Sequence, residues 1–217
     1  MIYSIYKPTG WTSFDVVKKI RGITKEKKVG HGGTLDPFAE GLLIIATGKD
    51  TKQLANISDA SKSYRAVLKL GETTDTLDTE GQIIDTKPVP ALNEKIIINA
   101  LNKFVGKYEQ IPPMFSAKRV NGVRLYKLAR ENITIERKPI LVNINNISLN
   151  SLNGVYVDFS VTCSKGTYIR VLGQDIADKL GTVGYLVRLI RVKVGKFQIN
   201  DSSTIEKFES VWMSTVH

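Results

Sequence analysis

The stretch Gly30-His31-Gly32-Gly33-Thr34-Leu35-Asp36-Pro37-Phe38-Ala39-Glu40-Gly41-Leu42-Leu43-Ile44-Ile45-Ala46-Thr47-Gly48 decides the fold and carries the first candidate site. Three glycines in four positions strip side chains from the backbone, which permits positive φ and the close approach of a ligand. One carboxylate, Asp36, follows, and Pro37 biases it away from helix toward an extended conformation. Leu42 to Ala46 is an unbroken apolar run, long enough for a strand and short for a helix, so a buried strand is expected. The pattern describes a tight loop holding one acid at the mouth of a rigid strand. A glycine-rich turn with a capping aspartate would use the same residue types, because Asp is common in turns.

Working outward, the chain of 217 residues fits one domain, or one domain with an elaboration, and can bury a sizeable core. Lys and Arg number 31 against 21 Asp and Glu, a net charge of +10 that points to a polyanionic partner. Placement sharpens this. Lys18, Lys19, Arg21, Lys25, Lys27 and Lys28 crowd the approach to the glycine loop, opposed only by Glu26. Arg188, Arg191, Lys193 and Lys196 form a second basic run without an acid. Nucleic acid is the expected partner, and no membrane, since no apolar run reaches spanning length. The single Cys163 excludes an internal disulfide framework. Two histidines, His31 and His217, are too few for a His/Cys zinc site. A reducing, cytoplasmic setting is compatible with both.

Before the loop, Ile2 to Tyr6 reads as a strand, and Ser13 as the cap of a helix with Phe14, Val17, Ile20 and Ile23 on one face. After it come a short helix (51–57) and an alternating strand from Ser63 to Leu70, with Tyr64 near its start. The acids of Thr73 to Gly81 miss the EF-hand spacing and read as turn formers. Asn93 to Val105 forms an amphipathic helix. From Gln110 to Arg130 prolines open a stretch in which Lys118, Arg119, Arg124 and Lys127 interleave with aromatics. Such a segment suits phosphates and bases, or equally an ordinary connection before a surface helix (123–131). Asn153-Gly154 marks a hairpin between the strands 140–149 and 155–161. A helix follows to about Leu180. Arg170 in its first turn opposes the macrodipole and calls for an anionic partner, unless it simply faces solvent. A strand over 186–194 and a helix over 204–208 close the chain.

Five stretches, taken in order, resemble the successive motifs of the TruB family of tRNA pseudouridine-55 synthases. They are Gly30 to Pro37, Lys62 to Arg65, Gly71 to Thr76, Pro112 to Ala117 and Cys163 to Arg170. The resemblance runs from Lys7 to about Phe197. It implies a pseudouridine-synthase fold of α/β (α+β) class: a long, mostly antiparallel mixed sheet with flanking helices and an RNA-clamping insertion, here residues 110–131. It implies one catalytic domain over 1–217. Only 26 residues follow Arg191, too few for the C-terminal PUA domain that many members carry.

Residue by residue, Asp36 matches the family's catalytic aspartate and His31 the histidine near the displaced loop bases. Tyr64 matches the tyrosine against the target base, and Arg170 the arginine that pairs with the carboxylate. Lys7, with Pro8 and Gly10, resembles the motif that supports the site wall. Lys18, Lys19, Lys118, Arg119, Arg124 and Lys127 are the candidate RNA contacts. The implied reaction isomerises the T-loop uridine of tRNA to pseudouridine after base flipping, needing neither cofactor nor metal. The implied partner is the tRNA T arm, with the protein acting as a cytoplasmic monomer without an obligate protein partner. Two other classes share these residues: a non-catalytic RNA-binding or tRNA-folding module, and the catalytic subunit of a guide-RNA-dependent synthase.

Overall fold

The computed structural model describes every residue except Asn121, Asn132, Val216 and His217, so the second histidine lies outside the described residues. Nine of the described strands join in a mixed sheet, and the chain divides into two compact units, Met1–Arg65 with Leu189–His217 and Ala66–Arg188.

The first unit begins with β1 (Ile2–Lys7), α1 (Ser13–Thr24), β2 (Val29–His31) and β3 (Glu40–Thr47). A 3-10 turn over Gly48–Gln53 leads to α2 (Leu54–Asp59). Then β4 (Lys62–Leu70) runs on into the second unit. Both β1 and β2 pair antiparallel with β3. The apolar run of β3 is unbroken because both of its faces are covered. Leu43 and Ile45 pack with Ile5, with Val16, Val17 and Ile20 of α1, and with Ile205 and Phe208 near the C-terminus. Leu42 and Ile44 pack with Val194, Ile57, Phe197 and Ile199. All four β3 side chains are fully buried, each worth roughly 1.5–3 kcal/mol.

The cap of α1 differs from the sequence expectation. Thr12, not Ser13, is the N-cap: its Oγ1 accepts from the Asp15 N–H at 3.1 Å, and Asp15 accepts from the Thr12 N–H at 2.9 Å. The helix buries Val16, Val17, Ile20 and Ile23 and leaves Phe14 58% exposed. Phe14 was expected on the buried face; it lies one position outside the stripe. Ser13, relieved of capping, is itself buried and available to the glycine loop.

In the second unit β5 (Glu72–Thr74) and β6 (Ile83–Thr86) form a hairpin. Next, α3 (Glu94–Asn102) is capped by Asn93, whose Oδ1 accepts from the Ile96 N–H at 3.0 Å. β7 (Gly106–Gln110) precedes a two-residue hairpin, β8 (Arg119–Val120) with β9 (Val123–Arg124), and α4 (Leu125–Arg130). The long β10 (Ile140–Asn153) pairs antiparallel with β7 on one side and with β11 (Tyr156–Cys163) on the other, through a turn at Gly154-Val155, one position beyond the expected Asn153-Gly154. α3 packs on β10, and α5 (Ile169–Lys179) packs on α3.

The chain re-enters the first unit along β12 (Gly184–Val194), followed by β13 (Phe197–Gln198) and α6 (Ile205–Thr215). Within the first unit β12 runs parallel to β3, with Ile190 opposite Glu40 and Arg191 opposite Gly41. α6 continues well past the expected end at Phe208. Its second apolar turn explains why: Trp212 stacks on Phe208, which meets Tyr3 of β1 edge-on at 4.9 Å.

Candidate active site

Asp36 sits half-buried on an irregular stretch between β2 and β3, in the non-helical conformation that Pro37 favours. The loop around it is fastened at every step by buried polar groups. Ser13 Oγ donates to the Leu35 carbonyl at 3.1 Å and accepts from the Leu35 N–H at 2.9 Å. Lys7 is fully buried, and its ammonium donates to the carbonyls of Pro8, Trp11 and Pro37 at 2.9, 2.6 and 3.2 Å. The Gly10 N–H also donates to Pro37 O, from a backbone at φ +82° that glycine adopts without strain. Arg191 reaches the same loop with three donors, to Leu42, Thr34 and Gly33 carbonyls. Lys7 is thus part of the loop's scaffolding, with its ammonium held on backbone carbonyls and not exposed to a ligand.

Tyr64 and Lys62 lie on the buried face of β4, where alternate residues face inward. The Lys62 ammonium donates to the carbonyls of Ser58 and Ala60. His31, on β2, is half-buried. Burial lowers its pKa and the positive charge of Arg191 lowers it further, so the ring is neutral at pH 7.

In the second unit three further stretches of the sequence converge on Arg170. Its guanidinium is almost fully buried and lies 3.3 Å from Asp78 Oδ2. Its Nη1 donates to Thr76 O at 2.5 Å and its Nη2 to Phe115 O at 2.7 Å. The anionic partner that a cation in a first helical turn requires is therefore Asp78. Asp78 is held in turn: its Oδ1 accepts from Thr76 Oγ1 at 2.6 Å and from the Glu80 N–H at 2.9 Å. Its backbone exchanges two bonds with Thr74 Oγ1. The acids of this stretch do act as turn formers, and one of them is also a buried counter-charge. Such a pair is costly to break from one side, about 3–5 kcal/mol, because the remaining charge stays buried.

A family model described as TruB family pseudouridylate synthase (N terminal domain) matches residues 21–169. The chain belongs to the TruB family. It is 48% identical over 209 residues to the tRNA pseudouridine synthase B of Clostridium kluyveri, covering 96% of this chain and 72% of that protein. With the protein of the same name from Lactococcus lactis subsp. cremoris it shares 44% over 218 residues, 97% of this chain and 66% of that one. Among solved structures it is similar to the crystal structure of a Cbf5-Nop10-Gar1 complex. That match has a TM-score of 0.78 and 26% identity, and covers 100% of this chain and 56% of the other. The fold is accordingly the pseudouridine-synthase fold expected from the motifs.

In this TruB family member the candidate RNA contacts divide by environment. Arg119, Arg124 and Lys127 are exposed on β8, β9 and α4, and Lys118 is half-exposed. Together with Gly122, Val123 and Tyr126, three of them line an open basic cleft of about 310 Å³. Tyr126 carries Arg130 over its ring at 5.6 Å, and Arg124 beside its hydroxyl lowers its pKa. Asn121, in the same segment, lies outside the described residues. Lys18 is exposed, whereas Lys19 is half-exposed and paired with Glu209 at 2.7 Å. The second basic run is not a uniform surface. Arg188, Lys193 and Lys196 are exposed, but Arg191 is 1% exposed and belongs to the loop scaffold, which corrects its reading as a surface cation.

Sequence reasoning also missed a buried relay behind Arg170. Gln110 accepts from the Tyr168 N–H at 2.8 Å and donates to Tyr168 O at 3.0 Å, pinning the residue that precedes α5. The same amide donates to the Tyr108 hydroxyl, which bonds Asp175 on α5. Burial, aided by the nearby charge of Asp178, raises the Asp175 pKa to about 6.

Proposed function

We propose that this protein isomerises the T-loop uridine of tRNA, position 55, to pseudouridine, with Asp36 as the catalytic carboxylate. The observation that carries this reading is the loop itself: one half-buried acid on a backbone pinned by Lys7, Gly10, Ser13 and Arg191. The reaction breaks a C–N glycosidic bond, turns the base and forms a C–C bond to the same sugar. It transfers no group to a second molecule and changes no oxidation state. One fixed carboxylate near a flipped nucleotide matches that demand, because preorganised geometry and charge supply most of the required stabilisation.

In this reading Tyr64 packs against the target base, and Arg170 is a site residue whose guanidinium is anchored by Asp78. Neutral His31 fills the space left by displaced loop bases. The exposed cations of the 110–131 insertion hold the T arm through phosphates. Residues 1–217 act as one catalytic domain, as a monomer in the cytoplasm and without a guide RNA or obligate partner protein. The 48% identity to a relative named for tRNA, against 26% to a Cbf5 complex, favours tRNA itself as the substrate.

The test is direct. Purified protein alone is incubated with an unmodified tRNA transcript, and pseudouridine is mapped by mass spectrometry. The expected result is pseudouridine at position 55 and nowhere else. Tight tRNA binding with no pseudouridine formed would identify a non-catalytic RNA-binding module instead.

A further inference from the structure

Arg191 is the least expected residue of the first unit. It lies in a basic run, yet it is among the largest fully buried side chains of the protein. Its three donors are spent on backbone: Nε on Leu42 O at 2.8 Å, Nη1 on Thr34 O at 3.1 Å and Nη2 on Gly33 O at 3.2 Å. Among the described residues its charge is met by carbonyl oxygens and by no carboxylate. A buried arginine without a carboxylate is an expensive feature, because the desolvated charge must be stabilised by hydrogen bonds alone.

The placement of those bonds gives the feature a purpose. Gly33 and Thr34 precede Asp36, and Leu42 follows it, so one planar guanidinium ties the two ends of the Asp36 loop together. The backbone adds to the clamp. Arg191 pairs in parallel register with Gly41, whose φ is +106°, and a Cβ there would come within 2.6 Å of Arg191 O. Gly33, at φ +111°, also requires glycine. A guanidinium suits this path because it presents its N–H groups in fixed directions and so reaches both ends of the loop at once.

We infer that Arg191 is a positioning residue for the isomerisation: it sets the place of the Asp36 carboxylate by clamping Gly33, Thr34 and Leu42, and takes no part in gripping RNA. The inference rests on the reading of Asp36 as the catalytic carboxylate. Lysine at this position keeps the charge but has no planar fork, and a compact ammonium cannot span both ends of the loop.

The test compares Arg191→Lys, Arg191→Ala and Asp36→Asn with the parent enzyme, all well below their melting temperatures. Turnover, tRNA dissociation constant and the salt dependence of binding are measured for each. Arg191→Lys is expected to lower kcat about a hundredfold, the scale of an ångström misplacement of a catalytic group. Its tRNA affinity should stay within about twofold and its salt slope unchanged, because no phosphate contact is lost. In Arg191→Ala, added guanidinium ion should restore kcat about tenfold or more, while urea, of similar shape and no charge, should not. If Arg191→Ala does not fold, Arg191→Lys alone decides. Wild-type kcat in Arg191→Lys overturns the inference. So does weakened binding with a salt slope smaller by about 0.7–0.9, which would make Arg191 a phosphate contact. Turnover by Asp36→Asn would instead overturn the reading of Asp36, so the two failures are distinguishable.

Discussion

The Asp36 loop and the 110–131 insertion both carry residues proposed to meet RNA, yet they are built in opposite ways. Around Asp36 the polar groups point inward. Two buried cations and a buried hydroxyl bond the backbone from Gly33 to Leu42, and removing a partner would leave buried groups unpaired at about 1–3 kcal/mol each. In the insertion the root is buried and the cations beyond it are exposed. Pro112, Pro113, Ser116 and Leu125 are buried, and Phe115 O accepts from Arg170. Beyond Ser116, Arg119, Arg124, Lys127 and Arg130 face solvent, and the backbone bonds are local ones, such as Leu125 N–H to Lys118 O at 2.9 Å. A group that acts on reacting atoms tolerates little displacement, whereas a phosphate contact on a flexible stem adapts to its target.

That contrast can be broken experimentally, most sharply at the root of the insertion. Arg170→Lys should lower kcat by a factor of about a hundred or more with little change in tRNA affinity, because an ammonium cannot hold Thr76 O, Phe115 O and Asp78 in one plane. Single-turnover kinetics with saturating enzyme would measure it, and equal rates would show that charge alone suffices there. Replacing Arg119, Arg124 and Lys127 together by alanine should do the reverse. Binding should weaken about thirtyfold, as several phosphate contacts go, while the melting temperature stays within a few degrees because all three side chains are exposed. Filter binding and thermal unfolding would report the two halves of that expectation.

The buried relay behind Arg170 gives a smaller effect with a pH signature. The folded pKa of Asp175 is raised to about 6, above its unfolded value, so the folded protein binds the extra proton. Stability from this group is present at acid pH and is lost as pH rises from about 4 to about 6. Asp175→Asn keeps an acceptor for Tyr108 and should therefore stabilise the protein by about 1–2 kcal/mol at pH 7, and by nothing near pH 4. Denaturant unfolding at the two pH values would measure the difference. Smallest of all, Lys127→Ala should weaken tRNA binding only a few-fold and reduce the salt slope by about 0.7–0.9. A loss of turnover in that variant would erase the distinction between the exposed tip and the pinned loop.

Much of this organisation is legible in the sequence, and particular residues explain where it stops. The run Leu42 to Ala46 predicts a buried strand because five apolar residues cannot all face water, and Asn153-Gly154 predicts its hairpin from turn chemistry alone. The loop of Asp36 is marked by its glycines and by Pro37. Arg191 is missed because charge runs are read as surfaces, and its partners are carbonyls about 150 residues away, which no local pattern encodes. One signal was available: Leu189 and Arg191 share a strand face by the period of two, and Leu189 is apolar. Asp78 is read correctly as a turn former but not as the partner of Arg170, since pairing across 92 residues requires the fold. Phe14 is misplaced by a single position, because the buried stripe at helical spacing runs through Ser13, Val16, Val17, Ile20 and Ile23 and leaves its neighbour outside. The Gln110 relay has no sequence signal at all; one amide bonded to both the N–H and the C=O of Tyr168 is a product of tertiary packing.

The central claim is that a single fixed carboxylate performs the isomerisation, and the exchange of one oxygen for nitrogen tests it. Asp36→Asn preserves size and hydrogen-bonding capacity and removes the charge. With tRNA containing tritium at uridine C5, tritium release by the variant should fall at least about a thousandfold below the parent, roughly 4 kcal/mol of barrier, while tRNA binding stays within about twofold. Release within about tenfold of the parent, roughly 1.4 kcal/mol, would contradict the assignment of Asp36 and with it the account of why this loop is held so firmly.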